Sequence, residues 1–176
     1  MELKILVLIF PIIFMIHDFE EIIFFKKWIL RNENELTRRF PKIANKFLPH
    51  FKNISTSSFA LGVAEEFLIV SIISVFAIMN EDFKLWYGIF IGFFIHIIIH
   101  IIQWIIYRKY IPSIVTSFLV LPYCFYTLEK LNESKLLELS DKILWGVIGF
   151  VIVILNLLLV HKLIAKFEKM QQIKDQ

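Results

Sequence analysis

The chain has 176 residues, 58% of them hydrophobic, with a formal net charge of +3. Soluble domains run about 45–50% apolar, so a mean hydropathy of +0.71 argues against a soluble globular fold. The single cysteine, Cys124, excludes an intramolecular disulfide and a thiolate metal cluster. Few Gly and Pro argue against long disordered linkers.

Five segments reach the roughly 20 residues that a helix needs to cross a bilayer. The first, residues 3–28, is apolar apart from a cluster at His17, Asp18, Glu20 and Glu21. It has no small-residue cleavage site and stays apolar past Glu21, so it reads as a retained helix rather than a removed signal peptide. A basic loop, residues 26–53, follows. The spacing of Leu, Phe and Ile between Leu36 and Phe51 predicts a short interfacial helix there. The second span, residues 56–79, carries Glu65 and Glu66. The third, residues 83–107, carries His96, His100 and Gln103. The fourth, residues 111–128, is the shortest. Pro112 suits its first turn, and Pro122 predicts a kink that would leave it tilted or partly re-entrant. The fifth, residues 143–163, contains Asn156. The expected fold class is therefore all-α, a polytopic membrane helix bundle of about five transmembrane helices in one integral membrane domain, residues 1–176.

Charge sets the expected orientation. With five spans, the loop 26–53, Arg108–Lys109 and the C-terminal tail share one side and hold fourteen basic residues, against five on the other. The positive-inside rule then puts the N-terminus outside and the C-terminus in the cytoplasm. Basic residues placed beside apolar segments suit anionic lipid headgroups rather than nucleic acid, so membrane lipid is the expected partner. Trp28, Trp86, Trp104 and Trp145 lie near span ends, as anchoring tryptophans do. Asn156 is expected to join helices, Gln103 to hydrogen-bond between them, and Cys124 to be inert core.

The polar residues inside the spans agree in depth. Counted from the cytoplasmic ends at 1.5 Å per residue, His17, Glu20, Glu21, Glu65, Glu66, His96 and His100 all fall between about 8 and 18 Å deep. Positions i, i+3 and i+4 share a helix face, so His17, Glu20 and Glu21 project together, with Asp18 turned about 100° away. His96 and His100, at i and i+4, can reach one metal. A charged Asp or Glu at mid-membrane costs about 2.5–3.5 kcal/mol. No Lys or Arg lies within the cores of the first three spans to offset these carboxylates. Metal cations are the simplest neutralising partner. His17, Glu20, Glu21, Glu65, His96 and His100 are the candidate ligands for one or two divalent ions. Imidazole and carboxylate donors suit Zn, Fe or Mn and are poor for Cu(I). Glu66 is left as a spare carboxylate for general-base catalysis.

The run His17-Asp18-Phe19-Glu20-Glu21 resembles the motif of the HXXEE family of small bacterial membrane proteins. The resemblance extends over nearly the whole chain, through Ala64-Glu65-Glu66, His96-x-x-x-His100 and the stretch from Tyr110 to Thr116. It implies a membrane architecture with a buried polar site in the bacterial cytoplasmic membrane, and supplies no reaction. The residues themselves point to a metal-dependent enzyme acting on a lipid or other apolar substrate, hydrolysis being favoured over oxidation. Two alternatives stand beside it: a cation or proton carrier using a His/Glu relay, and a non-catalytic membrane subunit.

Overall fold

A computed structural model describes residues 2–174, apart from the side chains of residue 169 and residues 171–174. Met1, Asp175 and Gln176, the ends of the expected domain 1–176, lie outside the described residues. The chain folds as α1 (Glu2–Arg39), α2 (Pro41–Asn53), α3 (Thr56–Asn80), α4 (Lys84–Tyr107), α5 (Ile114–Ser134) and α6 (Leu139–Lys174). The described residues contain no strand. The fold is the expected all-α bundle. α3 and α4 match the expected spans 56–79 and 83–107 to within one residue.

Four helices, α3 to α6, are long and apolar enough to cross a membrane. In α6 the mean hydropathy reaches 2.9 while only 11% of the stretch is buried, so its apolar flanks are left for lipid. α1 is longer than any of these but carries Asp18, Glu20 and Glu21 in its middle. It is two-faced: Ile5, Leu8, Ile12, Phe19 and Ile23 are exposed on one side, and the other side packs into the bundle. Val7, Phe10 and His17 are fully buried, and α1 packs against α2, α3 and α5.

α1 runs past the expected first span and stops only where Pro41 intervenes. Proline lacks an N–H and disfavours helical backbone in the residue before it. Phe40 accordingly leaves the helical region at φ −134° and ψ 56°. Within the stretch from Leu36 to Phe51 expected to be helical, Leu36 itself belongs to α1, and α2 begins on Pro41. It buries Ala44 and Leu48 against Ile29 and exposes Ile43 and Phe47 beside Lys42 and Lys46.

The fourth expected span differs in form. Pro112 lies in a turn before α5 rather than in its first turn, and α5 starts at Ile114. It then continues past Pro122 to Ser134, a full helix of 21 residues. Ser113 precedes it with φ 82°, a left-handed conformation that costs a non-glycine residue energy.

Polar contacts gather at the two ends of the bundle. At one end the Arg39 guanidinium donates to the carbonyls of Tyr107 at 2.7 Å and Ile106 at 3.3 Å, satisfying the last turn of α4. Lys109 donates to Glu35 at 2.7 Å beside it. There too, Glu168 on α6 accepts from the backbone N–H of Ser55, the N-cap of α3, at 2.8 Å. Lys4–Glu81, Lys84–Asp141 and Lys130–Glu2 pair at the other end. The loop 26–53, the turn after α4 and the far end of α6 thus meet at one end, as the charge pattern requires.

α4 and α6 make the closest crossing. A Cβ on Gly149 would lie 2.1 Å from the carbonyl carbon of Gly88, and one on Gly92 would lie 2.7 Å from Val153. Small residues let membrane helices approach to backbone contact. Trp86 is not an interfacial anchor. It is fully buried, stacks on Phe90 at 5.1 Å, meets Phe10 edge-on at 5.6 Å and donates to Ser74 at 3.2 Å.

Candidate metal centre

α1 and α4 bring four of the candidate ligands to one point. One donor atom from each of His17, Glu21, His96 and His100 lies within 4.8 Å of the other three. His100 Nε2 is 2.8 Å from His96 Nε2 and 3.0 Å from Glu21 Oε1. Glu21 Oε1 is 3.9 Å from His96 Nε2. The His17 ring centre lies 5.3 Å from that of His96 and 5.2 Å from that of His100.

Hydrogen bonds assign the ring protons. Thr116 Oγ1 lies 2.7 Å from Glu20 Oε2, an acceptor only, so its hydrogen is used there. Toward His17 Nδ1, at 3.3 Å, the same hydroxyl can only accept. The proton therefore resides on Nδ1, and the lone pair of His17 Nε2 faces the cluster. That Nε2 is buried and has no hydrogen-bond partner. His100 Nδ1 likewise meets Gln103 Oε1 at 3.2 Å, which turns its Nε2 lone pair to the same point. Gln103 supports His100 within α4 rather than joining two helices.

Lone pairs on two imidazoles and a carboxylate oxygen thus converge with no Lys or Arg side chain beside them among the described residues. A cation relieves that repulsion. Nitrogen and oxygen donors bind Zn²⁺ at about 2.0–2.2 Å, so a tetrahedral set has its donors roughly 3.3–3.6 Å apart. The spacings here bracket that range. The orphaned His17 Nε2 and the oxygens behind the Nδ1 atoms of His17 and His100 match what metal-bound histidines require.

Glu20 is not brought into this set. Its carboxylate accepts from the Tyr110 hydroxyl at 2.8 Å, the Thr116 N–H at 2.8 Å and the Thr116 hydroxyl at 2.7 Å. It serves as the anion at the N-terminus of α5. Burial and this bond to a carboxylate hold the Tyr110 hydroxyl well above the ordinary tyrosine range, so it stays a donor. Tyr110 and Thr116 are neighbours that sequence spacing alone does not connect to Glu20. Ser113, held at φ 82°, donates to Glu21 Oε1 at 2.6 Å.

The two carboxylates of α3 part company. Glu65 accepts from Asn156 of α6 at 3.2 Å, so that pair joins helices as Asn156 was expected to do. Glu66 faces a cavity of about 710 Å³ that also contains Asp18, Glu21, His96 and His100 in its wall. Asp18, turned away from His17 in the sequence pattern, is 5% exposed, and its Oδ2 has no partner. It lies on the cavity because α1 is enclosed by helices on more than one side. Cys124 is buried and free, as expected.

A family model described as a protein of unknown function with an HXXEE motif matches residues 8–127. The match is shorter than the nearly complete coverage expected, and it leaves out α6. It includes all four converging residues. No curated protein and no solved structure matches the chain.

Proposed function

The chain belongs to the HXXEE-motif family, and on that premise we propose that it is a metal-dependent membrane enzyme that hydrolyses a lipid or other apolar substrate. The observation that carries this reading is the convergence of His17, Glu21, His96 and His100 on the wall of a largely apolar cavity of about 710 Å³. Clefts or cavities of about 300–1,000 Å³ lined mainly by apolar side chains with a few convergent polar groups are typical of small-molecule sites. His17, Glu21, His96 and His100 hold one divalent ion, Zn, Fe or Mn. When bound, such an ion supplies Lewis acidity and brings the pKa of a water toward neutrality. Glu66 on the same wall accepts the proton released as the water oxygen bonds to the carbonyl carbon. It returns that proton to the leaving oxygen as the old C–O bond breaks.

A proton or cation relay has less support. Outward of the cluster the core is Phe10, Phe14, Trp86, Phe90 and Phe93, and the buried Ser74 there already accepts from Trp86, which leaves an ion little polar path. We place the protein in the bacterial cytoplasmic membrane, with the N-terminus outside and the C-terminus cytoplasmic, from the excess of basic residues at one end of the bundle. A reporter fused after Arg31 then reads cytoplasmic, and an external signal would reverse that orientation.

The functional test uses full-length protein in vesicles, loaded with Zn²⁺ and given long-chain esters. His100→Ala loses metal and turnover together. Glu66→Gln keeps the metal and loses turnover. Turnover that persists in Glu66→Gln refutes the assigned base, and turnover in metal-free protein refutes the metal-dependent reading.

A further inference from the structure

The cavity continues in both directions from the His/Glu cluster. Along α1 its wall includes Phe10 and Phe14 before the cluster and Phe25, Trp28 and Ile29 after it. Phe10 and Ile29 are about 28 Å apart at 1.5 Å per residue, with His17 and Glu21 near the midpoint. α4 repeats the order, with Ile89 and Phe93 on one side of His96 and His100 and Ile106 and Tyr107 on the other. Val70 of α3 lines the outer part, while Ala44 and Phe47 of α2 line the part nearest the interface. The reacting centre is therefore flanked by apolar wall on both sides. It does not stand at the mouth of a pocket, where a terminal headgroup would lie.

Charge narrows the ligand further. Asp18, Glu21 and Glu66 line the cavity, and among the described residues neither Lys nor Arg does. Lys26 and Arg39 are engaged elsewhere: Lys26 donates to the carbonyls of Lys52 and Ile54, and Arg39 to those of Tyr107 and Ile106. Even with one divalent ion bound, the three carboxylates outnumber its two charges, so a phosphate or free carboxylate meets no net positive charge to offset its desolvation.

We propose that the cavity takes an uncharged lipid whose polar group is internal, an ester joining two apolar arms. One arm lies toward Phe10 and Val70, and the other toward Ala44 and Phe47. This substrate class rests on the reading of the His/Glu cluster as the reacting centre. Hydrolysis within it adds water across the internal ester bond and yields one acid and one alcohol. Both products are single-armed, so neither spans the two ends of the cavity.

Binding tests this without turnover. Full-length protein in phosphatidylcholine vesicles is titrated with decyl decanoate, icosanoic acid and decyltrimethylammonium, and metal per chain is measured on the same samples. Decyl decanoate binds several-fold more tightly than either charged probe. Ile69→Trp, on the outer part of the cavity, and Ile43→Trp, on the part nearest α2, each weaken ester binding several-fold. Decanol, with one arm, is weakened by only one of them. Preference for the acid or the ammonium overturns the proposal, as does an ester insensitive to either substitution in folded protein. Should a variant fail to fold, the preference of the unmodified protein among the probes still decides. Metal bound without ester binding defeats the substrate class alone. Ester bound without metal defeats the metal centre alone.

Discussion

Thr116 Oγ1 lies 3.3 Å from His17 Nδ1, across the contact between α5 and α1. Because its own hydrogen goes to Glu20, this hydroxyl fixes the His17 tautomer and aims Nε2 at His96 and His100. Outer partners of metal-bound histidines are worth about 10–100-fold in affinity. Thr116→Val keeps the shape and removes the hydroxyl, so metal affinity measured by chelator competition falls within about that range. Thr116→Ser restores it. Unchanged affinity in Thr116→Val would remove the hydroxyl from the metal centre.

Glu20 is placed as a helix anchor, so its substitution separates stability from metal content. Glu20→Gln loses charge-assisted bonds from Tyr110 and Thr116. Each such bond is worth about 1.5–3 kcal/mol, and the thermal transition drops accordingly. Metal stoichiometry stays at the unmodified value. Loss of metal at unchanged stability would make Glu20 a ligand after all.

The α4–α6 crossing has no room for a methyl group. Gly149→Ala puts a Cβ 2.1 Å from a backbone carbon of α4, so the helices must separate. Overpacking of this kind costs about 1–3 kcal/mol or more, seen as a lower thermal transition in detergent. Gly146→Ala is the control. Its Cβ meets nothing closer than 3.9 Å, and its stability stays near that of the unmodified protein.

Glu35 holds the C-terminal extension of α1 to the turn after α4. The hydrogen bond from Lys109, with Arg39 adding to it, keeps its carboxyl below the ordinary value of 4.5, against the opposing effect of burial. A depressed folded value contributes stability above the ordinary value, and that stability is lost as pH falls through the depressed one. Glu35→Gln is therefore less stable than the unmodified protein at pH 7. The gap closes on the acid side of the ordinary carboxylate range. A gap independent of pH would show that the ion pair is not its origin.

The spans were legible because hydropathy and charge act over whole segments. Twenty apolar residues bounded by lysines admit few arrangements, and α3 and α4 follow the pattern almost to the residue. The site was legible in part. His96 and His100 were paired by their i, i+4 spacing. Glu20 and Glu21, however, lie on either side of His17, about 100° apart around α1. One turns to the N-terminus of α5 and the other to α4, and spacing along a single helix does not tell which. Glu65 and Glu66 divide between α6 and the cavity for the same reason. The Gly88–Gly149 contact joins positions far apart in sequence, with no local signal to connect them.

The central claim is that His17, Glu21, His96 and His100 form a metal centre, and metal per chain measures it most directly. Protein purified in detergent without chelator, analysed for Zn, Fe and Mn, contains about one divalent ion per chain, as a single four-donor set implies. Substitution of His17 or His100 by Ala reduces that ratio, while Glu65→Gln leaves it unchanged. Metal-free protein that takes up no Zn, Fe or Mn when these are supplied would contradict the account.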